Sequence, residues 1–184
     1  VGGFEIAFIA GSPSTSTKSA SLVARVTARA EKRGLEVGTI EVRSLPPADL
    51  TTASRDSAPL NAAHETIARA IGVVVATPVY KAAYTGLLKC FLDTLPEGAL
   101  RGKTILPVVT AAAPVHALVL DYALKPVLAS LFPATVAPGF FALDKEFVSD
   151  ANGVGLGPDA GVRFDTAVDE FLTTALAGAE RSAR

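Results

Sequence analysis

Apolar positions in this chain follow two rhythms. Phe4 to Ala10 is a strand-length apolar run, and Gly11 to Thr17 follows it with seven small or turn-forming residues. From Lys18 to Arg33 the period becomes helical. Leu22, Val23, Val26 and Ala30 make one stripe, Arg25, Arg29 and Lys32 lie off it, and Gly34 ends it. Leu35 to Val42 reads as a second strand, parallel to the first because such crossovers are right-handed. Residues 43–59 are polar, Pro-containing and aperiodic, which predicts a surface excursion. Leu60 to Ala70 predicts a short helix burying Ala63, Ile67 and Ala70. Val73-Val74-Val75, within Ile71 to Ala76, suits a central strand covered on both faces. Thr85 to Leu95 predicts a helix with Leu88, Phe91, Leu92 and Leu95 on one face, and Thr104 to Val109 a fourth strand.

Val115 to Leu131 is helical by periodicity but contains Pro126, which cannot donate to the Tyr122 carbonyl. A kink or bulge near Tyr122 follows. The fifth strand and its surroundings fall in Leu131 to Phe141. Phe147 to Asp159 is rich in Gly and small polar residues, and Asp165 to Ala177 reads as a closing amphipathic helix. Five strands alternating with helices predict one α/β domain over residues 1–184, a three-layer sandwich with a five-stranded parallel sheet. Ligands of such sheets bind beyond the carboxyl ends of the strands near the topological switch, so the loops after strands one, three and four matter most.

Composition narrows the functional classes. The 184 residues are 49% hydrophobic, enough for one substantial core. Seventeen basic residues against 18 acidic ones exert no long-range pull on nucleic acid or anionic membrane, and neither is expected as a partner. Cys90 is the only cysteine, so neither an intramolecular disulfide nor a thiolate-clustered metal site can form. Apolar stretches fall far short of the roughly 20 residues that span a bilayer. Without a basic, apolar leader at Val1-Gly2-Gly3, the cytoplasm is the expected location.

Candidate chemistry begins in the first loop. Between a strand and a helix start, free backbone amides and the positive helix end favour an anion. Five hydroxyl side chains and Lys18 add donors. The Gly-x-x-x-x-Gly-Lys and Gly-x-Gly-x-x-Gly spacings are both missing, so the loop suits a terminal monoester phosphate. Plain helix capping would use the same residues. Lys18 at a helix start is unfavourable unless an anion or a carboxylate compensates it.

After the central strand, Pro78 fixes the backbone of Thr77-Pro78-Val79-Tyr80, and Tyr80 and Tyr84 add aromatic surface. A planar heteroaromatic ligand needs that mixture, although capping and packing would also account for it. Thr110-Ala111-Ala112-Ala113-Pro114 has little side-chain bulk and lets backbone approach a ligand. His116, near a helix start, suits packing or hydrogen bonding better than catalysis, and His64 carries less weight. The two separated histidines specify no metal site, and no catalytic side chain is expected.

Three segments carry a resemblance: Gly11-Ser12-Pro13, Thr77-Pro78-Val79-Tyr80-Lys81-Ala82-Ala83-Tyr84, and Asp121-Tyr122-Ala123-Leu124-Lys125-Pro126-Val127-Leu128. Together they resemble the NADPH-dependent FMN reductases, especially the alkanesulfonate monooxygenase reductases of bacterial two-component systems. The likeness runs to about Phe132 and weakens afterwards. It implies a flavodoxin-like fold that reduces free, dissociable FMN with NADPH or NADH by hydride transfer to flavin N5. Reduced FMN would then pass to a partner FMN-dependent monooxygenase in sulfonate sulfur acquisition.

By motif match, Ser12, Lys18, Ser19 and Ser21 would surround the FMN phosphate, while Pro78, Val79 and Tyr80 approach the ring. Thr110, Ala111 and Ala112 match a Thr-Gly-Gly segment that nears the ring in relatives. Lys18 stands where the similar reductase has Arg, keeping the charge without the planar fork. Tyr122 matches a tyrosine in a π-helical insertion at a tetramer interface, implying a homotetramer or its dimer. Competing expectations are a quinone or azo reductase that retains FMN, a nonenzymatic flavodoxin-like electron carrier, and an interaction module on the same scaffold.

Overall fold

The computed structural model describes residues 5–15, 17–150 and 153–183, so the expected strand start at Phe4 lies outside it. The chain begins with β1 (Glu5–Ala10), α1 (Thr17–Glu31), β2 (Glu36–Glu41), α2 (Pro47–Thr52) and α3 (Ala58–Arg69). It continues with β3 (Ala70–Tyr80), β4 (Ala83–Tyr84), α4 (Gly86–Thr94) and β5 (Thr104–Ala111). A π-helical turn (Leu120–Leu124) leads into α5 (Lys125–Ala129), followed by β6 (Thr135–Val136) and β7 (Phe140–Leu143). Last come β8 (Phe147–Asp150), β9 (Gly153–Leu156) and α6 (Pro158–Ser182).

The sheet order is β2-β1-β3-β5-β6, with β7 continuing the outer position beside β5, and the pairings among these strands are parallel. This is a flavodoxin-like α/β fold, whose chain reverses direction across the sheet between β1 and β3. Continuous apolar strands are explained by two cores, one on each face. Ile6 and Phe8 join Val74 and Leu106 under α1 and α6. Ala7 and Ile9 join Val73 and Val75 under α3, α4 and α5.

Several elements differ from the sequence pattern. The aperiodic 43–59 stretch contains α2, held by buried Leu50, and Ser57 links α2 to α3. Its hydroxyl donates to Asp49 Oδ2 at 2.6 Å while capping the Leu60 amide. Strand β3 runs four residues beyond the expected Ala76 because Val79 and Tyr80 pair back onto Tyr84 and Ala83. The connecting Lys81 and Ala82 have φ of +52° and +61°, a two-residue turn that normally selects Gly or Asn.

The fifth strand is broken. Residues 137–139 face only 106–107 of β5, where Pro107 has no amide to donate and Gly139 takes φ +93°. The Gly-rich 147–159 stretch, for which the sequence pattern predicts no element, forms the antiparallel β8–β9 hairpin, which packs on α1. Helix α6 starts earlier than Asp165, with Pro158 in its first turn.

Near Pro126 the structure shows a widened turn rather than a kink. The Lys125 amide donates to the Leu120 carbonyl, five residues back, and Pro126 falls in the first turn of α5, where an amide is dispensable. Leu120 and Leu124 stay buried while Tyr122 is 80% exposed.

Helices α1 and α6 are joined by an arginine ladder at four-residue spacing. Arg25 grips Asp165 through Nε at 3.0 Å and Nη2 at 2.8 Å, Arg29 binds both Asp165 and Asp169, and Arg33 reaches the Asp169 carbonyl at 2.9 Å. The Arg29 hydrogen bond holds the Asp169 carboxyl below its ordinary range. A carboxylate depressed on folding contributes stability that is complete above its unfolded value, about pH 4, and is lost as pH falls through the folded value. Urea midpoints between pH 2.5 and 6 should therefore show a neutral-pH deficit for Asp169→Asn that shrinks in acid. A deficit independent of pH would contradict the linkage.

Candidate functional site

The site grows from the ends of β1 and β3. As β1 finishes, the Gly11 amide donates to the Ala76 carbonyl at 2.8 Å, fastening the first loop to β3. A Cβ on Gly11 would stand 2.8 Å from Leu88 Cβ and 3.1 Å from the Ala76 oxygen, so the loop rests directly on α4. Thr85 completes the join. Its hydroxyl donates to the Gly11 carbonyl at 2.6 Å and accepts the Leu88 amide at 3.1 Å as the cap of α4. Its own amide donates to Thr77 Oγ1 at 3.2 Å. Both threonines are buried.

Above this join lies an open cleft running across the carboxyl ends of β1, β3 and β5. Ser12, Ser14, Lys18 and Ser19 wall it from the β1–α1 side, Pro78 and Tyr80 from β3, and Thr110 from β5. The Ser12 hydroxyl accepts the Ser14 amide at 3.2 Å and shapes the loop. Ser16, one of the five hydroxyl residues of the loop, lies outside the described residues. Tyr80 is half-exposed.

Five of the residues singled out from the sequence stand beside this cleft rather than in its wall. Ser21 donates its hydroxyl to the Lys18 carbonyl at 2.8 Å, one turn into α1. Val79 packs against the inner core, as does Tyr84. Ala111 is buried, paired in register with Leu143, and Ala112 is exposed beyond the strand end. Neither histidine reaches the cleft. His64 Nε2 lies 2.9 Å from Thr94 Oγ1, with burial pushing its pKa down. His116 sits in a short 3₁₀ turn, its buried Nδ1 without a hydrogen-bond partner among the described residues.

Sequence reasoning missed Asp144 and Thr85. Asp144 lines the cleft from the turn after β7, and its Oδ1 accepts from Lys18 Nζ at 2.7 Å. That Nζ also lies 5.3 Å from the centre of the Phe147 ring. Helix α1 has no acidic residue in its first turn, so the carboxylate that compensates Lys18 arrives from 126 residues away. The available signal was topological, because the end of the fifth strand must also border the cleft. Thr85 was legible as a helix cap but not as a tie to Gly11.

The donor set has a definite chemistry. Hydroxyls and one ammonium gather at the β1–α1 end beside a helix start. At the β3 end, Pro78 and Tyr80 provide flat apolar surface. These residues fit a planar ligand with a phosphate tail.

Comparison with known proteins agrees. The model of the family described as NADPH-dependent FMN reductase matches residues 4–147. The chain is 40% identical over 163 residues to the FMN reductase (NADPH) of Escherichia coli K12, covering 89% of this chain and 85% of that protein. It is 44% identical over 138 residues to the FMN reductase (NADPH) of Pseudomonas putida KT2440, covering 75% and 70%. The crystal structure of the NADH:FMN oxidoreductase EMOB, apo form, superposes with a TM-score of 0.82 at 38% identity, covering 93% of this chain and 89% of that one.

Thr85→Val tests the architecture of the site. It leaves the Gly11 carbonyl and the Leu88 amide unpaired in the interior, a cost of about 2 kcal/mol. The variant should unfold at lower urea while its cleft loses ligand affinity in parallel. Unchanged stability and affinity would mean the join is dispensable.

Proposed function

The chain belongs to the NADPH-dependent FMN reductase family, and from that premise we propose that it reduces free FMN with NADPH or NADH in the cytoplasm. The observation that carries the reading is the cleft at the β1–β3 switch, which sets Ser12, Ser14, Lys18 and Ser19 at one end and Pro78 and Tyr80 at the other. When bound, FMN supplies the acceptor for a hydride from the nicotinamide at its N5. The chain's own part is to bind and orient.

Ser12, Lys18 and Ser19 hold the phosphate, with Ser21 shaping the turn behind them. Pro78 and Tyr80 form the ring side and Thr110 bounds it at β5, with Val79, Ala111 and Ala112 supporting them from beside the cleft wall. Half-exposed Tyr80 leaves room for a second ring against the first and for departure of the product. No side chain of the cleft is required to move a proton. Reduced FMN then serves a separate FMN-dependent monooxygenase, with sulfonate sulfur acquisition as the setting. Among the described residues no helix is long and apolar enough to cross a membrane.

The assembly we propose is a homotetramer or its dimer. Support comes from Val115, Leu118 and Tyr122, which recur at three- and four-residue spacing and are each more than half exposed. Tyr122→Asp should shift the sedimenting species to a smaller size while keeping the fold. An unchanged distribution would remove Tyr122 from the interface.

Turnover is tested with NADH and NADPH crossed against FMN, FAD, riboflavin and a quinone. Nicotinamide oxidation should be rapid only when free FMN is supplied. Stoichiometric flavin retained through purification, with faster turnover on the quinone, would overturn the reading in favour of a bound-FMN reductase. Flavin binding without nicotinamide oxidation would leave an electron carrier.

A further inference from the structure

Lys18, the one cation in the cleft wall among the described residues, is already paired. Its partner Asp144 is held on a fastened turn. The Leu143 amide donates to Glu146 Oε2 at 2.7 Å, Arg163 binds the other oxygen of that carboxylate, and the Gly157 amide donates to the Glu146 carbonyl at 2.8 Å. The turn is thereby tied to β7, to α6 and to the end of β9. Asp144 itself forms part of the cleft wall.

A phosphate oxygen accepting from Lys18 Nζ at about 2.8 Å would lie within roughly 5.5 Å of Asp144 Oδ1, given the 2.7 Å already between that oxygen and Nζ. That is well inside a Debye length of about 8 Å, so salt screens the two anions from each other only weakly. A phosphate monoester carries about −1.5 to −2 charge near neutral pH. The ammonium has three donors and can serve both anions, but their mutual repulsion remains.

We propose that Asp144 is a specificity-determining residue that competes with the ligand phosphate for Lys18, limiting both the affinity for FMN and the preference for FMN over phosphate-free riboflavin. The ring site is untouched by this competition. A flavin that must leave after each turnover is thus held by a cation that has a ready substitute for it. The inference rests on the reading that a phosphate binds at Lys18.

Equilibrium binding of FMN and riboflavin, followed by flavin fluorescence, separates the two ideas. Asp144→Asn and Asp144→Ala should each tighten FMN by about fivefold and slow its dissociation, with riboflavin changed by less than about twofold. The alanine guards against an amide that donates to phosphate in its own right. Lys18→Met should erase the preference for FMN and, in the double variant, erase the effect of Asp144→Asn.

If Lys18→Met leaves the preference intact, the phosphate site is elsewhere and both ideas fall. If Lys18→Met erases it but the Asp144 variants leave FMN unchanged or weaken it, only the competition fails. Equal tightening of FMN and riboflavin, or disagreement between asparagine and alanine, likewise overturns it.

Discussion

One buried hydroxyl holds the working end of this molecule together. Thr85 Oγ1 faces the Gly11 carbonyl and the Leu88 amide at once, while the Thr85 amide faces Thr77. Thr85 thereby ties together the β1 loop, the β3 end and the α4 start, beside the direct bond from the Gly11 amide to the Ala76 carbonyl. Gly11 adds a steric condition, since any side chain there collides with α4. The inner wall of the cleft is set by these buried contacts, whereas its outer wall depends on the more exposed Lys18–Asp144 pair. Strength is graded across the cleft from back to front.

That gradation has an electrostatic counterpart. The start of α1 concentrates positive potential from its backbone and from Lys18, and the first turn of the helix supplies no acid of its own. Balance comes from the β7–β8 junction, where Asp144 and Phe147 both meet the lysine. The family match ends at residue 147, so it reaches these two residues and stops as the β8–β9 hairpin begins. That hairpin packs on α1 and helps place the junction against it.

Much of this was legible in the chain. Val73-Val74-Val75 announced a strand covered on both faces, the turn residues after Ala10 marked the cleft, and Pro126 located the distortion that the structure resolves as a wide turn. What escaped was non-local or depended on compensation. Lys81 and Ala82 hold left-handed backbone without glycine, so their turn left no compositional trace. The β8–β9 hairpin lies in a stretch that in sequence shows only Gly and small polar residues, and its packing partner α1 is remote along the chain. Asp144 is an ordinary surface acid in sequence, and only the register of β7 beside β5 delivers it to Lys18. Ser21 and Val79 sit in the right motifs but turn toward the helix backbone and the core, a distinction that motif spacing does not carry.

The interruption of the outer strand bears on how the molecule meets others. An unbroken border of amides and carbonyls would be a template for a further strand, and such borders invite aggregation. Here the ladder stops after Val136, passes a proline and a left-handed glycine, and resumes only at Phe140. A copy approaching from that side finds no continuous row to extend. Association there must be made by side chains, which allows it to be selective and finite.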